Sequence, residues 1–100
     1  MANTFTVLYR GAASTSSATL YTVPAGTKAL VTSFVVTNTS PQSQKYTITL
    51  DGVEVAKDAT VDAHDSIIIE FKQVLDAGKI LAGSSSAATV NFSVSGLEIS

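Results

Sequence analysis

Residues that favour extended backbone dominate this sequence. Thirty of its 100 residues are β-branched, made up of 13 Thr, 11 Val and 6 Ile. Such side chains restrict χ1 and fit a pleated strand better than a helix. A further 13 residues are Ser, which competes for backbone hydrogen bonds and weakens helices. Because no eleven-residue stretch has apolar residues at helical spacing, the chain is predicted to be all-β.

The length and the hydrophobic content predict one packed domain. Hydrophobic residues make up 45% of the 100 residues, which is enough for a core, while two separate cores would each be too small. We therefore expect a single β-sandwich domain over residues 1–100, with residues 1–3 as a candidate flexible N-terminal arm. No apolar run is long enough for a spanning helix, and no secretory signal is expected at the start.

The strongest local pattern is a hairpin around Asp51-Gly52. Apolar and polar residues alternate on both sides of this dipeptide, and Asp-Gly suits a type I′ turn, which needs positive φ at both central positions. The turn predicts two pairs of facing residues, Leu50 with Val53 and Ile48 with Val55. All four side chains are then expected to share one face.

Turn signals recur every 8–12 residues and predict about eight strands. Antiparallel strands at this spacing favour a β-sandwich, either jelly-roll-like or immunoglobulin-like, and the pattern does not choose between them. In the last strand Val90, Phe92 and Val94 are expected to face inward, followed by a phase slip that predicts a β-bulge at Gly96. Residues 83–86 (GSSS) are expected to form a flexible loop.

The residue inventory offers little for catalysis or metal binding. The chain has no Cys and one His, His64, which lies in Asp62-Ala63-His64-Asp65. This segment could be a metal cluster or a base with its orienting carboxylate, but we interpret it as a polar turn. A calcium site formed by Asp58, Asp62 and Asp65 is a further alternative, which no known calcium motif supports. We expect no enzyme activity, no catalytic residue, no metal and no cofactor.

The charge content argues against nucleic acid as a partner. Six Lys and Arg against eight Asp and Glu give a formal net charge of −2, whereas nucleic-acid surfaces need a clustered cationic patch. Charged residues make up only 14% of the chain, against about 25% in an average soluble domain. A freely diffusing monomer normally carries more solubilising charge, so a homo-oligomer is expected.

The third predicted strand provides a candidate subunit interface. One face is expected to point into the core, with Leu30, Phe34 and Val36. The other face is also apolar, with Ala29, Val31 and Val35. Because the outer face of a monomeric sandwich is usually polar, these three residues are predicted to contact another subunit. The alternative is an ordinary solvated outer face, since Ser33 and Thr37 lie among them.

The chain resembles small bacteriophage virion proteins of the capsid decoration (cement) or tail-accessory type. The resemblance begins with LYTVPAGT at 20–27 and covers about four-fifths of the chain as a style of strand and turn. The other segments that carry it are 29–40, 53–57, 61–69, 74–80 and 90–99. The sequence departs from the pattern at Asp62–Asp65, where such proteins often have Pro and Gly.

The resemblance implies a structural virion component made in the host cytoplasm. Its expected form is a capsid decoration protein that oligomerises on the outer shell, a trimer being one candidate, and clamps neighbouring capsomers. The expected partners are other copies of the chain and the major capsid protein or other virion proteins, with no membrane or nucleic acid. A neck, tail or fibre protein, or a receptor- or carbohydrate-binding module there, is the alternative. For sugar stacking the chain offers only Tyr9, Tyr21 and Tyr46 as polar aromatics.

Overall fold

The computed structural model describes residues 3–100, with the backbone only at residue 71, and these residues form eight β-strands. In chain order the strands are β1 (Asn3–Ala12), β2 (Ala18–Thr22), β3 (Lys28–Asn38), β4 (Gln44–Leu50), β5 (Val53–Val61), β6 (Ser66–Leu75), β7 (Ile80–Ser85) and β8 (Val90–Ile99). Every paired neighbour is antiparallel. The all-β antiparallel sandwich predicted from the sequence is confirmed.

The strands form two four-stranded sheets with a jelly-roll order. The first sheet has the order β1-β8-β3-β6 and the second has β2-β7-β4-β5. The pairs β4–β5, β3–β6, β2–β7 and β1–β8 make one long antiparallel ribbon that is rolled so that β3 meets β8 and β4 meets β7. This pairing defines a jelly roll, so the strand order excludes the immunoglobulin-like alternative.

The hydrophobic core lies between the two sheets. Its largest members are Phe34 on β3 and Phe92 on β8, whose rings meet edge to face with centroids 4.9 Å apart. The second sheet contributes Ile48 and Leu81, which are fully buried. The inward positions of Val90, Phe92 and Val94 in the last strand are confirmed. Burial of these side chains is the main favourable term that holds the sheets together.

The Asp51-Gly52 turn is confirmed, but the register beyond it differs from the prediction. Asp51 has φ 53° and Gly52 has φ 75°, as a type I′ turn requires, and Leu50 faces Val53. Ile48 pairs with Ala56 instead of Val55, because β5 contains an extra, bulged residue at this point. The expected shared face is therefore wrong for Val55, the extra residue, whereas Val53 faces Leu50 as expected. Both side chains are exposed on an edge strand.

The predicted bulge at Gly96 lies in the neighbouring strands instead of in β8. The register of β1 against β8 slips at Leu8, and that of β3 against β8 slips at Thr32. Gly96 faces inward between these slips, where a Cβ atom would collide with the Leu30 carbonyl oxygen and the Leu8 side chain. The absence of a side chain at Gly96 lets Leu8 enter the core.

The bulge at Thr32 reverses the predicted faces of the first part of β3. Ala29 and Val31 are fully buried on the same side as Phe34, and Leu30 points outward. The predicted subunit interface is therefore wrong for Ala29 and Val31, which are core residues. Val35 lies beyond the bulge and is partly exposed on the outer face, so its role at an interface stays a prediction.

Two segments expected to be flexible belong to strands. Asn3, assigned to the candidate arm, begins β1 and pairs with Ile99, whereas residues 1 and 2 lie outside the described residues. The expected loop at 83–86 is wrong for residues 83–85, which continue β7 against β4. Gly83 faces inward there, and only a small residue fits against Leu20 and Phe92. Within residues 3–100 no helix is long and apolar enough to cross a membrane.

Candidate interaction surface

The Asp62–Asp65 segment is a polar turn in the structure. His64 has φ 55°, and the turn is closed by the Asp65 amide, which donates to the Asp62 carbonyl oxygen at 3.2 Å. The His64 side chain is exposed, and its backbone amide donates to the Ser40 carbonyl oxygen at 3.1 Å. In the described part of the chain, no three His, Asp or Glu side chains converge as a metal site would require.

A buried asparagine fastens this turn to the rest of the molecule. Asn38 Nδ2 donates to the carbonyl oxygens of Gln42 at 2.7 Å, Asp62 at 3.2 Å and Val61 at 3.3 Å. Its Oδ1 accepts from the Ser40 amide at 3.0 Å. Asn38 thus satisfies loop backbone groups that would otherwise be unpaired. No sequence pattern indicates this role, because Asn38 precedes a loop in which polar residues are ordinary.

All three tyrosine side chains make contacts within the folded protein. Tyr46 is buried in the core, and the Tyr9 hydroxyl donates to the Ala12 carbonyl oxygen at 2.8 Å. The Tyr21 hydroxyl donates to the Glu98 carboxylate across the two sheets. Burial, and secondly this hydrogen bond and the Glu98 charge, raise the pKa of Tyr21 well above its usual range. None of the three rings stands exposed as a platform for sugar stacking.

Four apolar side chains cross the outer face of the first sheet in one line. Phe5 pairs with Leu97, Leu97 with Leu30, and Leu30 with Val74, so each strand of the sheet contributes one residue. We call these four residues the apolar row. Phe5 is 87% exposed and Val74 62% exposed, while Leu30 and Leu97 between them are partly exposed. Directly opposed side chains on one face form a continuous surface.

Further apolar groups widen this surface. Val7 lies two residues along β1 from Phe5 and is exposed, and an open depression is lined by both residues together with Thr32 and Ser95. Ile68 on β6 is 68% exposed and pairs with Val35 on β3. Scattered single apolar residues are normal on a protein surface, but an adjoining group across a whole sheet marks an interaction site.

The outer face of the second sheet differs in chemistry. The equivalent line across its four strands is Thr19, Ala82, Thr49 and Glu54, which we call the polar row. Exposed ion pairs lie near it, with Lys57 Nζ 3.1 Å from a Glu54 carboxylate oxygen and Lys79 Nζ 3.6 Å from an Asp51 carboxylate oxygen. The continuous apolar line is therefore found on the first sheet, whereas the exposed apolar residues of the second sheet, Val53, Val55 and Ile80, lie outside its polar row.

Comparison with solved structures finds a similar fold in two chains of viral particles. No protein-family model and no curated protein matches the chain. A chain of the T13 IBDV viral particle is similar over 96% of this chain and 30% of its own length, with a TM-score of 0.57 and 15% identity. A chain of the infectious bursal disease virus Gx strain is similar over 97% and 31%, with a TM-score of 0.52 and 19% identity.

These likenesses establish the fold and no more. This chain spans less than a third of the length of either viral chain. The catalytic domain of Agl-KA is also similar over 98% of this chain, but its TM-score of 0.45 and 14% identity are too low to bear on function. The class defined by the fold and the surface is a jelly roll with an apolar row on one outer face.

Proposed function

We propose that the protein is a structural component of a virion and, more narrowly, a bacteriophage capsid decoration (cement) protein. The observation that carries the proposal is the apolar row on the outer face of a jelly roll. Phe5 and Val74 are large apolar groups left in water by the fold, and burial against a partner would recover about 25 cal/mol per Å² of apolar area. The jelly roll shared with two chains of viral particles supports a virion context.

The rest of the molecule fits a role based on adhesion. Both sheets are tied by a continuous core, and loops at one end are fixed by Asn38, so the outer face is held by a stiff scaffold. A rigid surface loses little conformational entropy on binding. In this proposal the partners are the major capsid protein and other copies of the chain, the location is the virion assembled in host cytoplasm, and no enzymatic step or cofactor is involved.

The proposal is tested on particles of the phage that encodes the chain. Particles assembled without the protein are expected to form, to release their genome at a lower temperature than complete particles, and to regain stability when the purified protein is added. Cryo-electron microscopy of complete particles should place the first sheet against the capsid shell. Equal thermal stability of depleted particles would contradict the cement role, and density at the neck, tail or fibre would replace it with the accessory alternative.

A further inference from the structure

β6 is an edge strand of the first sheet. β6 pairs with β3 on one side and has no partner on the other among residues 3–100, so alternate residues of this ten-residue strand present unpaired backbone groups at the edge of the first sheet. Ile67 and Ile69 pack towards the core, whereas Ile68 and Val74 are exposed. Even-numbered residues of β6 therefore face outward, in the order Ile68, Glu70, Lys72 and Val74.

This outward order is complementary to itself when reversed. From residue 68 to residue 74 the outward side chains are apolar, acidic, basic and apolar. An antiparallel β6 from a second copy therefore places Glu70 opposite Lys72 and Ile68 opposite Val74, and the two-fold symmetry repeats each of these pairs. We infer that β6 pairs antiparallel with β6 of a second copy, about a two-fold axis at residue 71. The product is a dimer with one continuous eight-stranded sheet. A two-fold contact of this type uses the same surface on both subunits, and main-chain hydrogen bonds supply its backbone pairing.

The two charges also fix the register of the pairing. A shift of the axis by one residue towards residue 70 places Glu70 opposite Glu70, and a shift towards residue 72 places Lys72 opposite Lys72. Like charges directly opposed on a strand pair are destabilising. A two-fold axis midway between two residues would place outward-facing side chains of one copy opposite inward-facing side chains of the other. Only the register centred on residue 71 pairs opposite charges and apolar groups together.

The other edges of the two sheets lack this complementarity. The described part of β1 carries one charge, Arg10, with no acidic residue to oppose it, and the strand is interrupted by the bulge at Leu8. β5 is interrupted by two register shifts against β4 and by the positive φ of 47° at Asp58. β2 has only five residues and no charge. β6 also has a register shift against β3, opposite Thr32, but its outward residues keep their alternation from Ile68 to Val74. The charge pattern therefore distinguishes β6 from the other edges, and its length distinguishes it from β2, since short edges resist pairing.

The pairing also extends the apolar surface. Val74 ends the apolar row at the free edge, and the proposed register places it beside Ile68 of the second copy, which pairs within its own sheet with Val35. Side chains opposed across strands in this way contact each other. Val35 thus lies near the subunit contact.

Charge reversal of the purified protein, without particles, tests the pairing. The wild type is expected to be dimeric in sedimentation velocity, with a dissociation constant that rises with salt. Glu70→Lys alone and Lys72→Glu alone each create two like-charge contacts and should raise the dissociation constant at least tenfold. The double variant should dimerise like wild type, and an equimolar mixture of the two single variants should form the heterodimer.

A matched control uses a charge on an edge strand of the second sheet. Glu54→Lys on β5 reverses an exposed acidic residue of similar setting and should leave the dimer unchanged. A monomeric wild type at all concentrations, or a dimer that Glu70→Lys leaves intact, would overturn the inference, as would single variants that fail to rescue each other. Because these measurements need no virion, they stand or fall separately from the cement role.

Discussion

The two outer faces of this sandwich have the same construction and opposite chemistry. Each sheet aligns one residue from each of its four strands, giving the apolar row on the first sheet and the polar row on the second. Both rows lie over the same shared core, so the demands of folding do not explain the difference. A face that only needed solubility would resemble the polar row. The apolar row is therefore best explained by contact with another molecule.

The outer face of the first sheet includes the side of β3 that points away from the core. Val31→Asp tests this assignment and has the largest expected effect on stability. Val31 is fully buried, so the substitution places an unpaired charge in the core and should lower the free energy of unfolding by about 4 kcal/mol or more. Val35→Asp, on the outer face, should leave the protein folded. Urea denaturation followed by circular dichroism measures both, and a stably folded Val31→Asp protein would contradict the assignment of faces.

Gly96→Ala tests whether the bulged parts of β1 and β3 pack closely against Gly96. A Cβ atom at this inward position meets the Leu30 carbonyl oxygen and the Leu8 side chain, and we expect a loss of about 1–3 kcal/mol in unfolding free energy. Ser95→Ala is the control, because its side chain points outward and its loss should change stability by no more than about 0.5 kcal/mol. Equal stability of the two variants would show that β1 and β3 do not pack closely against Gly96.

Phe5→Asp tests directly whether the apolar row, and not the polar row, binds the particle. Phe5 is 87% exposed, so the fold should be retained while binding to depleted phage particles weakens about tenfold or more, which corresponds to about 1.4 kcal/mol. Thr19→Asp provides the control, since Thr19 is an exposed residue of the polar row on the outer face of the second sheet. Co-sedimentation with particles measures both variants. If both substitutions weaken binding to the particles equally, the two outer faces do not differ in function.

The smallest expected effect concerns the Tyr21–Glu98 hydrogen bond that links the sheets. Tyr21→Phe should lower the free energy of unfolding at pH 7 by about 1 kcal/mol. Burial and Glu98 raise the pKa of Tyr21 in the folded state, so its contribution is complete below its ordinary pKa of 10.0 and is lost as pH rises above it. Denaturation from pH 8 to 11 should show a smaller alkaline decline in Tyr21→Phe.

Tyr46 determines how much of that decline remains in the variant. Burial also raises the pKa of Tyr46, which keeps part of the alkaline decline in Tyr21→Phe. Tyr46→Phe should therefore reduce the decline as well. An alkaline profile of Tyr21→Phe that matches wild type would mean that the phenol is not held in its neutral form by the fold.

Local patterns predicted the parts of the fold that depend on neighbouring residues. The Asp51-Gly52 turn follows from two residues that accept positive φ, and the inward set of β8 follows from strict alternation up to Val94. The interface prediction at Ala29 and Val31 failed because alternation cannot show where a bulge falls. The slip at Thr32 arises from the neighbouring strands β8 and β6, which are distant in sequence.

The sequence by itself determined that the chain is an all-β sandwich, because side-chain stiffness and turn chemistry act over a few residues. Tertiary structure decided the jelly-roll order and the alignment of Phe5, Leu97, Leu30 and Val74, which lie up to 92 residues apart in the sequence. Strand pairing brings these residues together, and pairing is selected by the packing of the whole core. The surface on which the proposed function depends therefore exists only once the two sheets have closed.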